Sequence, residues 1–413
     1  MRTTLNEILR CPFCGGHLSP VAGEHLEIRD GEMRSGILGC ACSAYPVVDG
    51  ILVMQVDYAA ETAMRQLGEG QKEQALFTLL GLDESRHDAF RRFLAKEREA
   101  SYSNGMEILS PDAEGTYFVY RFSDPTYLAS QAIVRTVGQN ACCVRRRMLD
   151  VCGGSGHLTR TLGRLSTDAE VVLADAGFAK LWLAKRIIAP DCEPVCCDAN
   201  NPLPFAPESF SLAVCSDAYH YIWSKRLLAD EMMRLAGADG VVMLPHIHNS
   251  LSENFSAGMP LTPAHYRSLF ANLDARLFRE SVILTQFING ESIDLSNEAP
   301  EEALASEAAL VLVASKRAEV FRVYEPLETS RIVGELGVNP LYHLVEDGEQ
   351  VNLELRFPSE MYAEEYAACK RYLPERLGLR VELLRRLAAG EINEEHRELA
   401  RRYVLLDVPR GYC

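Results

Sequence analysis

Three histidines of this chain lie in two short polar clusters where a proton could be transferred. His220 belongs to residues 217–223 (DAYHYIW), and His246 and His248 belong to residues 245–249 (PHIHN). Imidazole titrates near neutral pH and therefore suits general-base chemistry on an oxygen or nitrogen nucleophile. We expect His220 to be the base, with His248 and His246 next in order. Contact with a bound ligand and packing in the core are the alternatives.

The second cluster also has the spacing of a pair of ligands. His246 and His248 are two residues apart, so in an extended chain their side chains lie on the same side. A metal ion bound there would need a third ligand, which the sequence does not identify, and substrate contact is the simpler prediction. Tyr219 and Tyr221 complete the predicted catalytic set, because their aromatic faces could stabilise a bound cation.

Four cysteines near the N-terminus form two pairs that could bind a metal. Cys11 and Cys14 lie in CPFCGG, and Cys40 and Cys42 lie in CACSAYPVVDGI. Thiolates on two short turns can hold Zn²⁺, and a segment this short has too small a core to fold without added stabilisation. We predict a structural zinc ion here. Because one residue separates Cys40 from Cys42, a ribbon without metal is the alternative.

A glycine-rich run predicts the elements that position these residues. Residues 149–157 (LDVCGGSGH) lie between an apolar, strand-like stretch and a helix-like one, and a second apolar stretch, residues 171–174, ends at Asp175. Strand, glycine turn, helix, strand and acid in this order are typical of a βαβ unit that binds a nucleoside. The third glycine of a dinucleotide fingerprint is missing, since His, Leu and Thr follow Gly156.

With Asp150 two residues before the turn, this run resembles motif I of class I S-adenosylmethionine (SAM) methyltransferases, with Cys152 in place of the first glycine. Residues 197–205 (CDANNPLPF) are similar to a further segment of that family, residues 209–217 to its fourth strand, and residues 228–243 to its next helix and fifth strand. The resemblance implies an α/β fold with a seven-stranded Rossmann-like sheet and helices on both faces. It implies SAM as cofactor and S-adenosylhomocysteine as product.

The same resemblance implies roles for individual residues. Asp175 falls where the family's acid accepts hydrogen bonds from the ribose hydroxyls, and Asp198 falls where an aspartate meets the adenine amino group. The implied cofactor-binding set is Asp150, Cys152, Gly153, Gly154, Gly156, Asp175, Ala176, Asp198, Ala199 and Asp217.

The tail of the cysteine segment, residues 45–51 (YPVVDGI), resembles a zinc-ribbon family that includes the activator subunit of tRNA and protein methyltransferases. That family usually has two residues inside the second cysteine pair, whereas this chain has one. By analogy, the ribbon would be a built-in activator that stabilises the catalytic domain.

Length and composition limit the class of protein. A chain of 413 residues with 47% hydrophobic and 24% charged residues is typical of a globular protein with two or three domains. The net charge of −16 argues against a nucleic-acid surface. The one basic run, residues 145–147, leads into the predicted first strand. The sequence lacks a signal-peptide-like N-terminus and a transmembrane-length apolar run, and its 13 cysteines favour a reducing cytoplasm.

We divide the chain into four parts: a zinc-ribbon-like domain (1–56), a helical linker or cap (57–125), a SAM-binding methyltransferase domain (126–316) and an α+β extension of unassigned role (317–413). In the cap, Tyr117 or Tyr120 could reach the pocket or pack in the core. Residues 276–287 and 308–315 are predicted to be antiparallel sixth and seventh strands. The extension is consistent with three roles. It could form a dimer (a homodimer included), cover the substrate or dock a partner.

We expect methyl transfer from SAM to an oxygen or nitrogen of a small molecule of specialised or glycan metabolism. An rRNA or tRNA methyltransferase is the first alternative, because large-subunit rRNA guanine methyltransferases also join a zinc ribbon to this fold. The others are an enzyme that transfers or cyclises the aminocarboxypropyl part of SAM, and a non-catalytic partner-binding module. The acidic charge and the extra segments favour a small-molecule pocket and no membrane contact.

Overall fold

A computed structural model describes residues 1–23, 25–95, 100–141, 147–255, 257–327 and 334–412. Arg145 and Arg146 of the basic run lie outside the described residues. Among the described helices, none is long and apolar enough to cross a bilayer.

The N-terminal segment is a small antiparallel β-structure that follows a 3₁₀ turn at Thr3–Glu7. Its strands are β1 (Ser19–Pro20), β2 (Glu27–Arg29), β3 (Glu32–Gly39), β4 (Ala44–Val48) and β5 (Ile51–Val53). Strand β5 is fully buried because it continues into the central sheet, where Leu52 and Val53 pair in parallel with Val195 and Cys196. The ribbon and the catalytic sheet therefore share one hydrogen-bonded β-sheet.

Helices dominate the next part of the chain. They are α1 (Tyr58–Gly68), α2 (Lys72–Leu79), α3 (Glu84–Ala95), α4 (Tyr102–Leu109), α5 (Ala113–Tyr120) and α6 (Pro125–Ala141). Helices α1 and α2 are separate, because Gly70, with a φ of 77°, ends the run after α1.

The catalytic part alternates strands and helices. Its elements are β6 (Arg147–Val151), α7 (His157–Gly163), β7 (Glu170–Asp175), α8 (Phe178–Leu183), β8 (Glu193–Cys196), β9 (Leu212–Val214), α9 (Lys225–Ala236), β10 (Val241–His248), α10 (Pro263–Leu269), β11 (Asp274–Arg279), α11 (Glu280–Ile288), β12 (Ile293–Asp294), α12 (Glu301–Ala305) and β13 (Ala309–Ser315).

The central sheet has the order β1-β3-β4-β5-β8-β7-β6-β9-β10-β13-β11, with β2 on β3. The last seven strands give the predicted seven-stranded Rossmann-like α/β sheet. Successive residues face opposite sides, so Met148 packs in one hydrophobic cluster with α6, α7 and α8, whereas Leu149 packs in another with α9 and α10. Helices thus cover both faces of the sheet.

One strand prediction was wrong in part. Among the last seven strands of the sheet as described, β13 alone runs opposite to the other six, since it pairs antiparallel with both β10 and β11. The predicted strand over 276–287 ends at Arg279, and α11 begins at Glu280. Ile283, Leu284 and Phe287 are all buried, and their spacing of three to four residues is that of one helical face.

The C-terminal region is an α+β extension. Its elements are β14 (Val323–Tyr324), β15 (Glu335–Val338), β16 (Tyr342–Asp347), β17 (Gln350–Leu355), α13 (Glu360–Glu365), β18 (Arg376–Arg380), α14 (Val381–Ala388), α15 (Glu394–Arg401) and β19 (Leu405–Val408). Strands β16, β17 and β18 form one antiparallel sheet, and β15 pairs with β19. Their shared core also takes in Tyr117 and Tyr120. The extension therefore packs on the cap through α5.

Candidate active site

The glycine loop between β6 and α7 has a backbone conformation that is unfavourable for most residues other than glycine. Cys152, Gly154 and Gly156 have φ values of 56°, 55° and 80°, in the left-handed region. A Cβ on Gly153 would come within 2.6 Å of the Asp150 carboxyl carbon. Cys152 therefore adopts a left-handed conformation that glycine favours, at the position where motif I of the family has glycine.

Asp150 is buried beneath this loop and ties it to the helix. Its Oδ2 accepts a hydrogen bond of 2.6 Å from the Thr159 hydroxyl, and its Oδ1 has no partner in the described ranges. Burial raises the pKa of Asp150 to about 7, although the Thr159 hydrogen bond lowers it. Asp150 therefore holds the glycine loop in place, and the backbone of the loop covers the Asp150 side chain.

Asp175 stands at the end of β7, beside the glycine loop. Its Oδ2 accepts from the Gly154 N–H at 2.9 Å, and its Oδ1 accepts from the Gly177 N–H at 2.7 Å. The neighbouring Ala176 carbonyl accepts from Gln55, which follows β5 of the ribbon. Asp198, partly exposed after β8, accepts from the Asn200 N–H and side chain. These acids and glycines lie along the carboxyl ends of β6, β7 and β8, where open α/β sheets bind ligands.

Helix α5 lies over the glycine loop. The Phe118 ring is so close to Gly154 that a Cβ there would stand 2.7 Å from it. Lys180 of α8 forms an ion pair of 2.8 Å with Glu114, and the Tyr117 hydroxyl donates to Asp217 Oδ2 at 2.6 Å. Of the two tyrosines considered for the pocket, Tyr117 reaches the site. Tyr120 instead packs against Tyr362 of the extension.

The C-terminal extension holds α5 in this position. The Tyr412 hydroxyl donates to the Val119 carbonyl at 2.8 Å, and the Tyr412 ring stacks on Tyr102. On the other side of the loop, Asp407 forms an ion pair of 3.1 Å with Arg160 of α7. The extension therefore joins the cap to the cofactor unit, which favours the covering role among those considered for it.

The predicted histidines meet at the ends of β9 and β10. His246 Nδ1 lies 2.9 Å from both carboxylate oxygens of Glu280, and its Nε2 lies 3.5 Å from Asp217 Oδ1. Burial lowers the pKa of His246, but the two carboxylates outweigh burial and raise it to about 9. Burial raises the pKa of Asp217, but the charges of His246 and Arg121 bring it below its usual value. His246 is thus held between two acids.

His220 and His248 are neutral in the same cluster. Their ring centres lie 4.5 Å apart, and the His248 ring lies 4.8 Å from His246. Burial lowers the pKa of His220 to about 4 and that of His248 to about 3. Neither nitrogen of His220 has a hydrogen-bond partner among the described residues, although the side chain is 1% exposed. Neutral imidazoles with open nitrogens can accept a proton or bind a ligand.

The two aromatic residues of the predicted catalytic set, Tyr219 and Tyr221, flank His220 in one turn and differ in burial. Tyr219 is fully buried, packs against Tyr266 and Phe270, and donates its hydroxyl to the Lys225 carbonyl. It therefore supports the turn that carries His220. Tyr221 is 54% exposed and leans against the His220 ring at 4.2 Å. Ala199, from the implied cofactor set, is buried.

Two residues of this site escaped the sequence analysis. Glu280 was assigned to a strand, and its contact with His246 spans 34 positions. Arg121 lies 3.3 Å from Asp217 and forms an ion pair with Asp124. The sequence carried a weak signal for Arg121, which lies within an aromatic-rich stretch of the cap, residues 117–122, and no signal for Glu280.

The four N-terminal cysteines also come together. Their sulfur atoms lie 3.5 Å apart between Cys11 and Cys42, 3.6 Å between Cys40 and Cys42, and 3.7 Å between Cys14 and Cys40. Zinc with bonds of about 2.3 Å to four sulfurs separates them by roughly 3.8 Å. The donor set and its spacing therefore fit zinc, including the pair separated by one residue.

The chain resembles known methyltransferases in part of its length. Residues 148–240 match a family model described as a methyltransferase domain. No curated protein sequence matches the chain. Similar solved structures include the YcgJ protein of Bacillus subtilis (16% identity, TM-score 0.30, 44% of this chain and 98% of that one) and a TehB-like SAM-dependent methyltransferase of Corynebacterium glutamicum (16%, 0.31, 44% and 88%). A third is geranyl diphosphate C-methyltransferase of Streptomyces coelicolor (11%, 0.31, 42% and 70%).

The family-model match covers β6 to the turn before β10, which is the part that contains the glycine loop, Asp175 and Asp198. The strand order of the sheet extends the same architecture to β11 and β13. Together, the match, the topology and the loop identify a class I SAM-dependent methyltransferase domain in this chain.

Proposed function

We propose that the protein methylates an oxygen or nitrogen of a small-molecule acceptor bound at the histidine cluster. The observation that carries this proposal is the position of neutral, buried His220 and His248 at the ends of β9 and β10, next to strand β6 and its glycine loop. The cap and the C-terminal extension cover this edge of the sheet, which suits an enclosed small acceptor better than a nucleic-acid track. The net charge of −16 supports the same choice.

The residues at the strand ends fit the cofactor. When bound, SAM supplies a methyl group carried on a sulfonium and leaves as S-adenosylhomocysteine. Asp175, 8% exposed at the end of β7, has the acceptor oxygens that ribose hydroxyls need, and Asp198 offers the same to an amino group. Gly153, Gly154 and Gly156 allow the backbone to approach a ligand closely.

His220 is the proposed base. Burial keeps its ring neutral and leaves a nitrogen for the proton that an attacking hydroxyl or amine gives up, and the Asp217 charge favours the protonated form. His246 is less suited to this role, since Glu280 and Asp217 favour its protonated form. His248 faces His220 edge to face and lines the same space. In this cluster the proposed proton acceptor, His220, is therefore a different residue from His246, which carries the positive charge.

A zinc ion in the ribbon is the second part of the proposal. Cys11, Cys14, Cys40 and Cys42 have the spacing of a tetrahedral site, and the ribbon contributes strands to the catalytic sheet. The ion would act structurally, because four thiolates leave no open position for a substrate.

Methyl transfer can be tested on full-length protein incubated with SAM and a panel of small hydroxylated and amino-bearing acceptors. Mass spectrometry should find an acceptor that gains one methyl group, together with S-adenosylhomocysteine. Methylthioadenosine as the by-product would instead indicate transfer or cyclisation of the aminocarboxypropyl group. Methylated RNA, with no modified small molecule, would overturn the acceptor class.

A further inference from the structure

The proposed base leaves three neighbouring side chains without a chemical role. Asp217, His246 and His248 converge at the ends of β9 and β10, and one ligand atom from each lies within 4.8 Å of the others. His246 Nε2 is 3.5 Å from Asp217 Oδ1, which is close to the separation of about 3.4 Å between ligands of a tetrahedral ion with bonds of about 2.1 Å.

Glu280 orients one of these ligands. Both of its oxygens lie 2.9 Å from Nδ1 of His246, so that Nε2 faces Asp217. Histidines that bind metals commonly donate the other ring N–H to a carboxylate, which fixes the tautomer and the ring plane. Asp217 is oriented in a similar way, since its Oδ2 accepts from Tyr117 and its Oδ1 faces His246.

The unpartnered nitrogen of His248 is an independent sign of a missing ligand. This side chain is 8% exposed, and its Nδ1 has no hydrogen-bond partner within the part of the chain that the structure describes. A buried polar atom without a partner costs about 1–3 kcal/mol, so native proteins rarely leave one unused. Asp217 and His246 also hold left-handed backbones, each with φ of 54°, an unfavourable conformation that is found most often at functional sites.

We propose that Asp217, His246 and His248 bind a divalent transition-metal ion. Two imidazoles and a carboxylate suit zinc, iron(II), cobalt(II) or manganese(II), and three protein ligands leave positions open for a further donor. Binding replaces the proton that His246 carries between its two carboxylates. The role of the ion rests on the proposed function: it would hold an acceptor oxygen beside His220, so the preferred acceptor is a hydroxyl compound.

Metal binding can be measured without an acceptor and on the full-length protein. The protein is first stripped by chelation, then given one equivalent of zinc for the cysteine ribbon, and finally titrated with cobalt(II). We expect a second equivalent to bind with d–d absorption and without thiolate-to-cobalt charge transfer, because its ligands are nitrogen and oxygen. If thiolate-to-cobalt charge transfer accompanies all of the cobalt that binds, then all of it lies in the ribbon and the proposal is overturned.

Three variants make this assignment specific. His248→Gln and Asp217→Asn should each weaken the second site by more than about tenfold, and Glu280→Gln should weaken it by roughly 10–100-fold. His265→Gln, an exposed histidine on α10, is the control and should bind the second ion normally. Circular dichroism and the retained ribbon zinc report whether each variant folds. Unchanged cobalt affinity in both ligand variants would reject the site.

The two proposals can fail separately. If cobalt binds as expected but no hydroxylated acceptor is methylated, the metal site stands and the proposed function fails. If a hydroxylated acceptor is methylated by protein that holds ribbon zinc alone, the function stands and the proposed role of the second ion in holding the acceptor is rejected.

Discussion

Asp49 accepts a hydrogen bond of 2.8 Å from the indole N–H of Trp182, and this contact joins the ribbon to helix α8 of the cofactor unit. Arg186 approaches the same carboxylate at 3.3 Å. Asp49 and Gly50 have φ values of 48° and 78° and form the turn between β4 and β5. The aspartate and glycine of the ribbon tail thus make both the turn and the interface.

Replacing Asp49 should uncouple the ribbon from α8. Asp49→Ala leaves the buried Trp182 N–H without its partner, so we expect the free energy of unfolding to fall by about 1–3 kcal/mol. Asp49→Asn is the matched control, because it keeps an acceptor oxygen and tolerates a positive φ, and it should retain most of the stability. Urea unfolding of the three proteins measures the difference. Equal losses in both variants would show that the charge, and not the hydrogen bond, matters.

Loss of the ribbon zinc should weaken the whole catalytic unit. Cys42→Ser removes one thiolate, so we expect less zinc per chain and a lower melting temperature, since β5 lies between the ribbon and β8 in one sheet. Zinc content by mass spectrometry and thermal unfolding of the same samples test this. Cys192→Ala, a buried cysteine outside the ribbon, serves as control and should retain zinc. Full zinc content in Cys42→Ser would contradict the four-cysteine site.

Removal of the Asp175 carboxylate should strongly weaken the binding of the cofactor. Asp175→Ala loses the acceptors for the ribose hydroxyls and the bond to the Gly154 N–H, so we expect affinity for SAM and S-adenosylhomocysteine to fall by roughly 100-fold. Calorimetric titration of both ligands measures the change. Asp239→Ala, an exposed residue before β10 at the opposite end of the strands, is the control and should bind normally. Unchanged affinity in Asp175→Ala would exclude this carboxylate from the cofactor site.

Asp150 should make stability depend on pH. Its pKa in the folded state is raised from 3.8 to about 7, so the unfolded chain loses this proton first as pH rises. The contribution of Asp150 to the free energy of unfolding is therefore complete below pH 4 and falls as pH rises towards 7. Above pH 7 it no longer changes with pH. Asp150→Asn cannot ionise, so it should gain up to ~3 kcal/mol relative to the native protein between pH 5 and pH 8.

Urea unfolding at pH 5 and pH 8 checks this difference, with Asp239→Asn as the exposed control. A gain in Asp150→Asn that is the same at both pH values would mean that Asp150 is already ionised in the folded protein at pH 5.

Local signals in the sequence predicted the core of the fold. The glycine loop, Asp175 and the β-strands that end in polar residues are short-range patterns, and the structure has the seven-stranded sheet they indicate. The predicted sixth strand failed in its second half because an apolar run of this length fits a strand and a buried helix equally well. Ile283, Leu284 and Phe287 settle the choice through their contacts with α6, which lie far away in sequence.

The site was less predictable than the fold. His220, His246 and His248 follow the predicted fourth and fifth strands, at the carboxyl ends where open α/β sheets bind ligands. The sequence did not predict Glu280 and Asp217 as the carboxylates that set the charge of these histidines. Glu280 lies on another element, and Asp217 was assigned to the cofactor. The pairing of β5 with β8 was equally hidden, since no sequence motif records which edge of a sheet a ribbon joins.

Replacement of His220 should separate proton transfer from cofactor binding. In His220→Asn, we expect kcat for the methylated acceptor to fall by about 10²–10⁴, while the affinity for SAM stays that of the native protein, because the ring lies at the end of β9 and away from Asp175. The lost activity should return in part as pH rises, since an acceptor that ionises in solution no longer needs a base. His265→Asn should have native kinetics at every pH. If His220→Asn loses SAM affinity and activity together, or shows no recovery at high pH, His220 supports the fold of the site and does not act as its base.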